Sequence, residues 1–65
     1  LRYKAEQVVR SLFSAFMSES RLLPDQFQAR VEVDGLARVV ADYISGMTDR
    51  YAFRLYNRLF TVENV

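Results

Sequence analysis

Apolar residues recur along the first eighteen positions with the period of an α-helix. At steps of about 100° per residue they fall on one broad arc, which holds Leu1, Ala5, Val8, Val9, Leu12, Phe13, Ala15 and Phe16. Charged and small polar residues take the rest of the wheel, and a polar run follows at 18–20. The pattern predicts an amphipathic helix over about residues 1–18.

Residues 19–34 lack a sustained period and are predicted to form an irregular connector. Pro24 has no N–H to donate, which suits the first turn of a helix, so we expect a short helix from there through Ala29. Asp34 precedes the next periodic segment and is the expected N-cap of its helix, with Gly35 just inside it.

The helical period returns after the connector. Its apolar arc contains Leu36, Val39, Val40, Tyr43, Ile44, Met47 and Tyr51. After Ala52 the apolar residues move to the opposite side of the wheel, so either the helix bends or ends near 51–53 or its last turns are buried on two sides. The favoured prediction is a break followed by a short terminal helix through Phe60. The predicted fold is all-α, with two main amphipathic helices joined by an irregular connector and followed by a short terminal helix.

Composition narrows the classes of function. The 65 residues allow one domain at most, and with 51% hydrophobic residues the chain is expected to fold. Histidine and cysteine are absent from the sequence, so it offers no imidazole base, thiol nucleophile, or imidazole or thiolate metal ligand. The net charge of +1 argues against a general polyanion binder, and no apolar run is long enough to cross a membrane. Leu1 lies on the apolar arc with no N-cap residue ahead of it, which suggests a fragment of a larger helical protein.

Arg50 is the candidate binding residue that the pattern singles out. It falls inside the predicted apolar arc, where a charge needs a partner such as a nucleotide phosphate or a carboxylate, unless its stem carries the charge to solvent. Arg54 and Arg58 follow at four-residue steps. The row could bind an anion, remain solvated, or pair with carboxylates of a neighbouring domain, and the predicted helix break weakens it.

Asp42 and Asp49 share the polar face of the second predicted helix. Two turns separate them, so one metal ion cannot bridge both directly. Ion pairs of the two aspartates with Arg38 and with an arginine of the connector are the simpler expectation.

Five other positions of this helix carry predictions. Gly46 weakens a helix and suggests the close approach of another element or a ligand, and Thr48 is expected to return its hydroxyl to a carbonyl one turn earlier. Tyr43 and Tyr51 are expected in the core with Met47, and the stacking of a base on the tyrosines is the less economical alternative.

A family resemblance rests mainly on residues 42–52, whose sequence is DYISGMTDRYA. This segment resembles a stretch near the C-terminus of the deoxynucleoside triphosphate triphosphohydrolases, the dGTPase-like family of the HD phosphohydrolase superfamily. The run Arg58-Leu59-Phe60 is similar to the end of that element in the family, and residues 4–16 resemble the helix that leads to a Leu-Pro connector, here Leu23-Pro24. The likeness spans about residues 3–60.

The resemblance implies the hydrolysis of dGTP to deoxyguanosine and triphosphate, with Mg²⁺ or Mn²⁺ held by a His…His-Asp…Asp set. No position of this chain matches that set, so the resemblance places the catalytic HD domain and its metal outside residues 1–65, with no catalytic or metal-binding residue within them. It further implies packing against the parent enzyme, contacts in a homo-oligomer and a cytoplasmic location. Arg50 and Tyr51 are the candidate substrate-binding residues.

Two other classes of protein remain open. A freestanding helical protein–protein interaction module suits the apolar excess and the uncapped first helix equally well. A small helix-turn-helix binder of nucleic acid fits less well, because the net charge is near neutral. The sequence ahead of Leu1 in the parent gene would separate them, since a His…His-Asp…Asp pattern there supports the enzyme.

Overall fold

A computed structural model describes residues 5–60, which form helices and turns with no strand in that range. The elements are α1 (Glu6–Ser18), a 3₁₀ turn (Ser20–Leu22), α2 (Asp25–Gln28), α3 (Val31–Asp34), α4 (Leu36–Ser45) and α5 (Asp49–Phe60). The predicted all-α class is confirmed. Residues 1–4 of the predicted first helix, Leu1 included, lie outside the described range.

The core forms where α1 crosses α4 and α5. Leu12 and Phe16 of α1 are 0% and 1% exposed, because the apolar arc predicted from the sequence faces the other two helices. The buried residues of the core are Val8, Leu12, Phe16, Leu23, Val39, Val40, Ile44, Met47, Ala52 and Leu55. All of them are apolar, so burial stabilises the fold without placing a charged side chain in its interior.

Gln28 holds the connector in place. Its side-chain amide donates to the carbonyl oxygen of Leu23 at 2.7 Å and to that of Arg21 at 3.2 Å. Leu23 is 2% exposed, so the connector also contributes to the core. Pro24 directly precedes α2, and the predicted short helix in this region is confirmed.

The junction between α3 and α4 differs from the prediction. Asp34 ends α3, and its carboxylate pairs with Arg30 at 2.9 Å instead of capping α4. Gly35 follows with a φ of +89°, a conformation that residues with a Cβ rarely adopt. Its N–H donates to the Val31 carbonyl at 2.8 Å. The prediction that Asp34 caps α4 was therefore wrong, because the turn at Gly35 lets α4 begin at Leu36.

The largest difference is the break between α4 and α5. α4 ends at Ser45 and α5 begins at Asp49, so the break precedes the predicted one near 51–53, and the terminal helix is longer than expected. Thr48 has the pattern of an N-cap: its Oγ1 accepts the Tyr51 N–H at 3.0 Å, and its carbonyl accepts the Ala52 N–H at 2.9 Å. The Thr48 hydroxyl thus starts α5 and does not bend α4 as predicted.

Gly46 lies in this break with a φ of −82°, which any residue can adopt. A Cβ added there would meet the carbonyl oxygens of Asp42 and Tyr43 at 3.7 Å, an ordinary contact. The close approach predicted at Gly46 is therefore not found among residues 5–60. The Gly46 N–H instead donates to both carbonyls at 3.2 Å and ends α4.

Candidate functional site

Two tyrosines meet across the break between α4 and α5. The hydroxyl oxygens of Tyr43 in α4 and Tyr51 in α5 lie 3.3 Å apart and form a hydrogen bond. The two residues are eight positions apart in sequence, and the Thr48 cap fixes the start of the helix that carries Tyr51. The break between the helices is therefore what brings the hydroxyls together.

The ring of Tyr43 is held by two phenylalanines. Phe16 of α1 meets it edge-on, with ring centroids 5.3 Å apart and an interplanar angle of 83°. Phe27 of α2 packs against it at 4.9 Å with an angle of 49°. Both distances fall in the favourable range for aromatic pairs, so Tyr43 is anchored from α1 and from the connector. Its hydroxyl has a fixed position at the surface of the core.

Burial raises the pKa of Tyr43 to about 12, from an ordinary value of 10.0, and the hydrogen bond with Tyr51 acts in the same direction. The Arg58 guanidinium opposes this rise in pKa, because a nearby cation stabilises the tyrosinate anion. Tyr43 is therefore protonated at neutral pH. One hydroxyl of the pair donates to the other, which leaves the proton of the accepting hydroxyl free for a ligand.

Two adjoining grooves flank this pair, and both include Tyr43 and Tyr51 in their walls. One has a volume of about 400 Å³ and is lined by Phe27, Tyr43, Gly46, Met47, Thr48 and Tyr51. The other, of about 330 Å³, is lined by Phe16, Leu22, Pro24, Tyr43, Tyr51, Leu55, Arg58 and Leu59. Aromatic walls, two hydroxyls and one guanidinium can bind a planar or anionic group, whereas the lining residues within 5–60 include no carboxylate or imidazole to act as a general base.

Tyr51 is the predicted site residue that lines both grooves. It is 38% exposed, so the expectation that it lies in the core was wrong, whereas Met47, at 5%, is buried as predicted. Arg58, which the sequence placed only in the arginine row, joins Tyr51 at the same groove. The seven-residue spacing between them, two turns of a helix, was the signal for this pairing.

Arg50 lies away from the grooves. It is exposed, and neither groove includes it, so its predicted place in the apolar arc was wrong. The prediction assumed one helix phase from residue 36 to residue 51, and the break resets that phase before Arg50. Because α5 runs unbroken over 49–60, Arg54 and Arg58 continue the same row, and the predicted break within it was also wrong.

Asp42 forms the ion pairs predicted for the two aspartates, whereas Asp49 forms none with residues 5–60. Its carboxylate accepts from Arg30 of the connector at 2.6 Å and from Arg38 at 3.1 Å. The hydrogen bond from Arg30 lowers the pKa of Asp42 below its usual value, and Arg38 adds to this effect. The segment with the family likeness is therefore tied at its start to the end of the connector.

Comparison with known proteins identifies the family. The profile of the phosphohydrolase-associated domain matches residues 1–58. The chain belongs to this family. The matched range contains the tyrosine pair, all of the arginine row and every lining residue of the two grooves except Leu59.

Relatives of this phosphohydrolase-associated domain are much longer proteins. A deoxyguanosinetriphosphate triphosphohydrolase-like protein of Thiobacillus denitrificans is 48% identical over 62 residues, which are 95% of this chain and 16% of that protein. One from Azoarcus is 48% identical over the same shares, and one from Bordetella pertussis is 51% identical over 57 residues, 88% of this chain and 15% of its own. The chain thus spans 16% or less of these three relatives. No solved structure gives a significant match.

The described part of this phosphohydrolase-associated domain does not fit a metal centre. Across residues 5–60 no group of three or more histidine, cysteine, aspartate or glutamate side chains is placed to hold an ion. Asp42 is instead occupied by two arginines. In the same range no helix is both long and apolar enough to cross a membrane.

Proposed function

We propose that this chain is the C-terminal helical part of a metal-dependent deoxynucleoside triphosphohydrolase that converts dGTP and water to deoxyguanosine and triphosphate. The observation that carries the proposal is the identity of 48% over 95% of the chain to a deoxyguanosinetriphosphate triphosphohydrolase-like protein. That relative is about six times longer, so the catalytic HD domain and its Mg²⁺ or Mn²⁺ belong to the sequence outside residues 1–65. The parent enzyme acts in the cytoplasm.

The role proposed for the chain is packing against the catalytic domain and contact between subunits of a homo-oligomer. Exposed apolar side chains support this role, since Leu22 is 46%, Val33 is 86% and Phe60 is 45% exposed. Covering such side chains with another surface is favourable, because it removes apolar area from water. The sequence holds no histidine or cysteine to serve as base or nucleophile, which agrees with a role outside catalysis.

We further propose Tyr51 as the better of the two candidate substrate-binding residues. The groove that it shares with Tyr43 and Arg58 supports this choice, because it combines aromatic walls with hydroxyls and a guanidinium. Arg50 has no such surroundings, and a role for it in substrate binding would require a wall supplied by the rest of the enzyme.

The proposal is tested on the longer protein and on this chain in parallel. Triphosphate release from dGTP is measured with Mg²⁺ or Mn²⁺ for the whole protein, for the protein without the segment that matches this chain, and for the chain alone. The whole protein should turn over, the chain alone should not, and the deletion should lower turnover and reduce the size of the assembly in sedimentation. Turnover by the chain alone, or a deletion that changes neither measurement, would overturn the proposal.

A further inference from the structure

Arginines are paired everywhere in the described chain except on α5. Each arginine before α5 contacts a carboxylate: Arg10 pairs with Glu6, Arg21 with Glu19, Arg30 with Asp34 and Asp42, and Arg38 with Asp42. Arg50, Arg54 and Arg58 form no ion pair with residues 5–60, and all three are exposed. The outer face of α5 therefore carries positive charge that the described chain does not neutralise.

The shape of this face favours an extended partner over a small anion. The row from Arg50 to Arg58 spans eight residue steps, or about 12 Å at the rise of an α-helix. Arg50 and Arg54 lie along the convex outside of the helix, and only Arg58, at the end of the row, lines one of the two grooves beside Tyr43. Small ligands are bound in concave sites, so a surface of this form suits a macromolecule.

The side chains beside the row favour a protein partner. Phe53 and Phe60 are 38% and 45% exposed on one side of it, and Tyr51 is 38% exposed on the other. The helix contains no lysine and no glutamate. Arginine and aromatic residues are enriched at protein interfaces, where lysine and glutamate are depleted. A nucleic-acid surface is usually basic across the domain, and here the net charge is only +1.

We propose that the outer face of α5 docks onto an acidic surface of the longer protein, outside the segment given by this chain. Arg50 and Arg54 pair there with aspartate or glutamate carboxylates, and Phe53 packs beside them. The inference rests on the proposed function and specifies which surface of the chain performs the packing. Arginine pairs with carboxylates in a fixed fork geometry, so these contacts set the register of the helix on its partner.

Zero-length cross-linking of the longer protein tests the contact directly. In an Arg54→Lys variant the new amine becomes coupled by a carbodiimide only to a carboxylate that touches it, and peptide mass spectrometry identifies that carboxylate. The expected product links position 54 to an aspartate or glutamate outside this chain. An Arg10→Lys variant is the matched control, since the structure places Glu6 against Arg10 and a cross-link to Glu6 should form.

Three outcomes would overturn the inference. One is no cross-link at position 54 when the control reacts, and another is a cross-link to Asp25 or Glu32 of a second copy, which would make the surface a contact between identical segments. The third is binding of a labelled single-stranded oligonucleotide that Arg54→Glu abolishes and Arg10→Glu does not, which would assign the row to phosphates.

A second measurement separates this inference from the proposed function. Triphosphate release from dGTP is measured on the same protein before the carbodiimide is added. Hydrolysis without the cross-link defeats this inference alone, and the cross-link without hydrolysis defeats the proposed function alone.

Discussion

Removal of the Thr48 hydroxyl should destabilise the chain by an amount that the structure bounds. Thr48 is exposed, so Thr48→Ala opens no cavity, and the main loss is the cap bond from the Tyr51 N–H to Oγ1 at 3.0 Å. Loss of such an N-cap costs about 1 kcal/mol, within a range of about 0.5–2 kcal/mol. Thr48→Ser keeps the hydroxyl and Thr48→Asp adds a charge favourable to the helix dipole, so both should retain most of the stability.

The measurement is urea unfolding followed by far-ultraviolet circular dichroism at low protein concentration, so that self-association does not add to the apparent stability. With an m value near 1 kcal/mol per molar urea for a small domain, the Thr48→Ala midpoint should fall by about 1 M. In thermal unfolding the same loss should lower the midpoint by about 4–8 °C.

The comparison between serine and alanine decides whether the reasoning holds. If Thr48→Ser lost as much stability as Thr48→Ala, the methyl group and not the hydroxyl would be responsible. If Thr48→Ala left the midpoint unchanged, the break at Thr48 would not depend on its cap. Either result would refute the link between this hydrogen bond and the position of Tyr51.

Four further predictions concern the site and its ion pairs. Because the pKa of Tyr43 is raised in the folded chain, its contribution to stability should be complete below pH 10 and lost between pH 10 and about 12, as seen in unfolding midpoints of the native chain against Tyr43→Phe. Tyr51→Phe should lower that pKa but leave it above 10, since burial is its largest cause, and ultraviolet titration of tyrosinate measures it. In the longer enzyme Tyr51→Phe should raise the KM for dGTP more than Tyr56→Phe, and equal KM values would count against the groove. The lowered pKa of Asp42 means that its stabilisation is present above pH 3.8 and lost as the pH falls through its folded value, so Asp42→Asn should flatten the acid limb of stability against pH.

The sequence was sufficient for features that depend on local periodicity and short-range charge. The apolar arc of α1 is buried at Val8, Leu12 and Phe16, as its wheel indicated. The partners of Asp42 could be anticipated because Arg38 lies one turn earlier and the connector offered further arginines. In these cases one element and its immediate neighbours determine the outcome.

The break at 46–48 could not be placed in the same way. The apolar pattern from Leu36 to Tyr51 is compatible with one helix, and Gly46 costs a helix only about 1 kcal/mol, which tertiary packing easily exceeds in either direction. Thr48 followed by Asp49 was an available N-terminal signal, since a capping side chain precedes an acidic first turn. Periodicity could not predict the packing of α5 on α1, which stabilises a turn relative to a continued helix.

That one break accounts for both surfaces of α5 that can take part in function. By restarting the helix at Asp49 it buries Ala52 and Leu55 against the core and brings Tyr51 to Tyr43. The restart of the helix also places Arg50 outside the apolar arc and in line with Arg54, so the charge that the sequence pattern placed among apolar residues faces outward. The segment that resembles the triphosphohydrolases thus contains the break between two helices. Its effect on an enzyme would come from where it directs the two faces of α5.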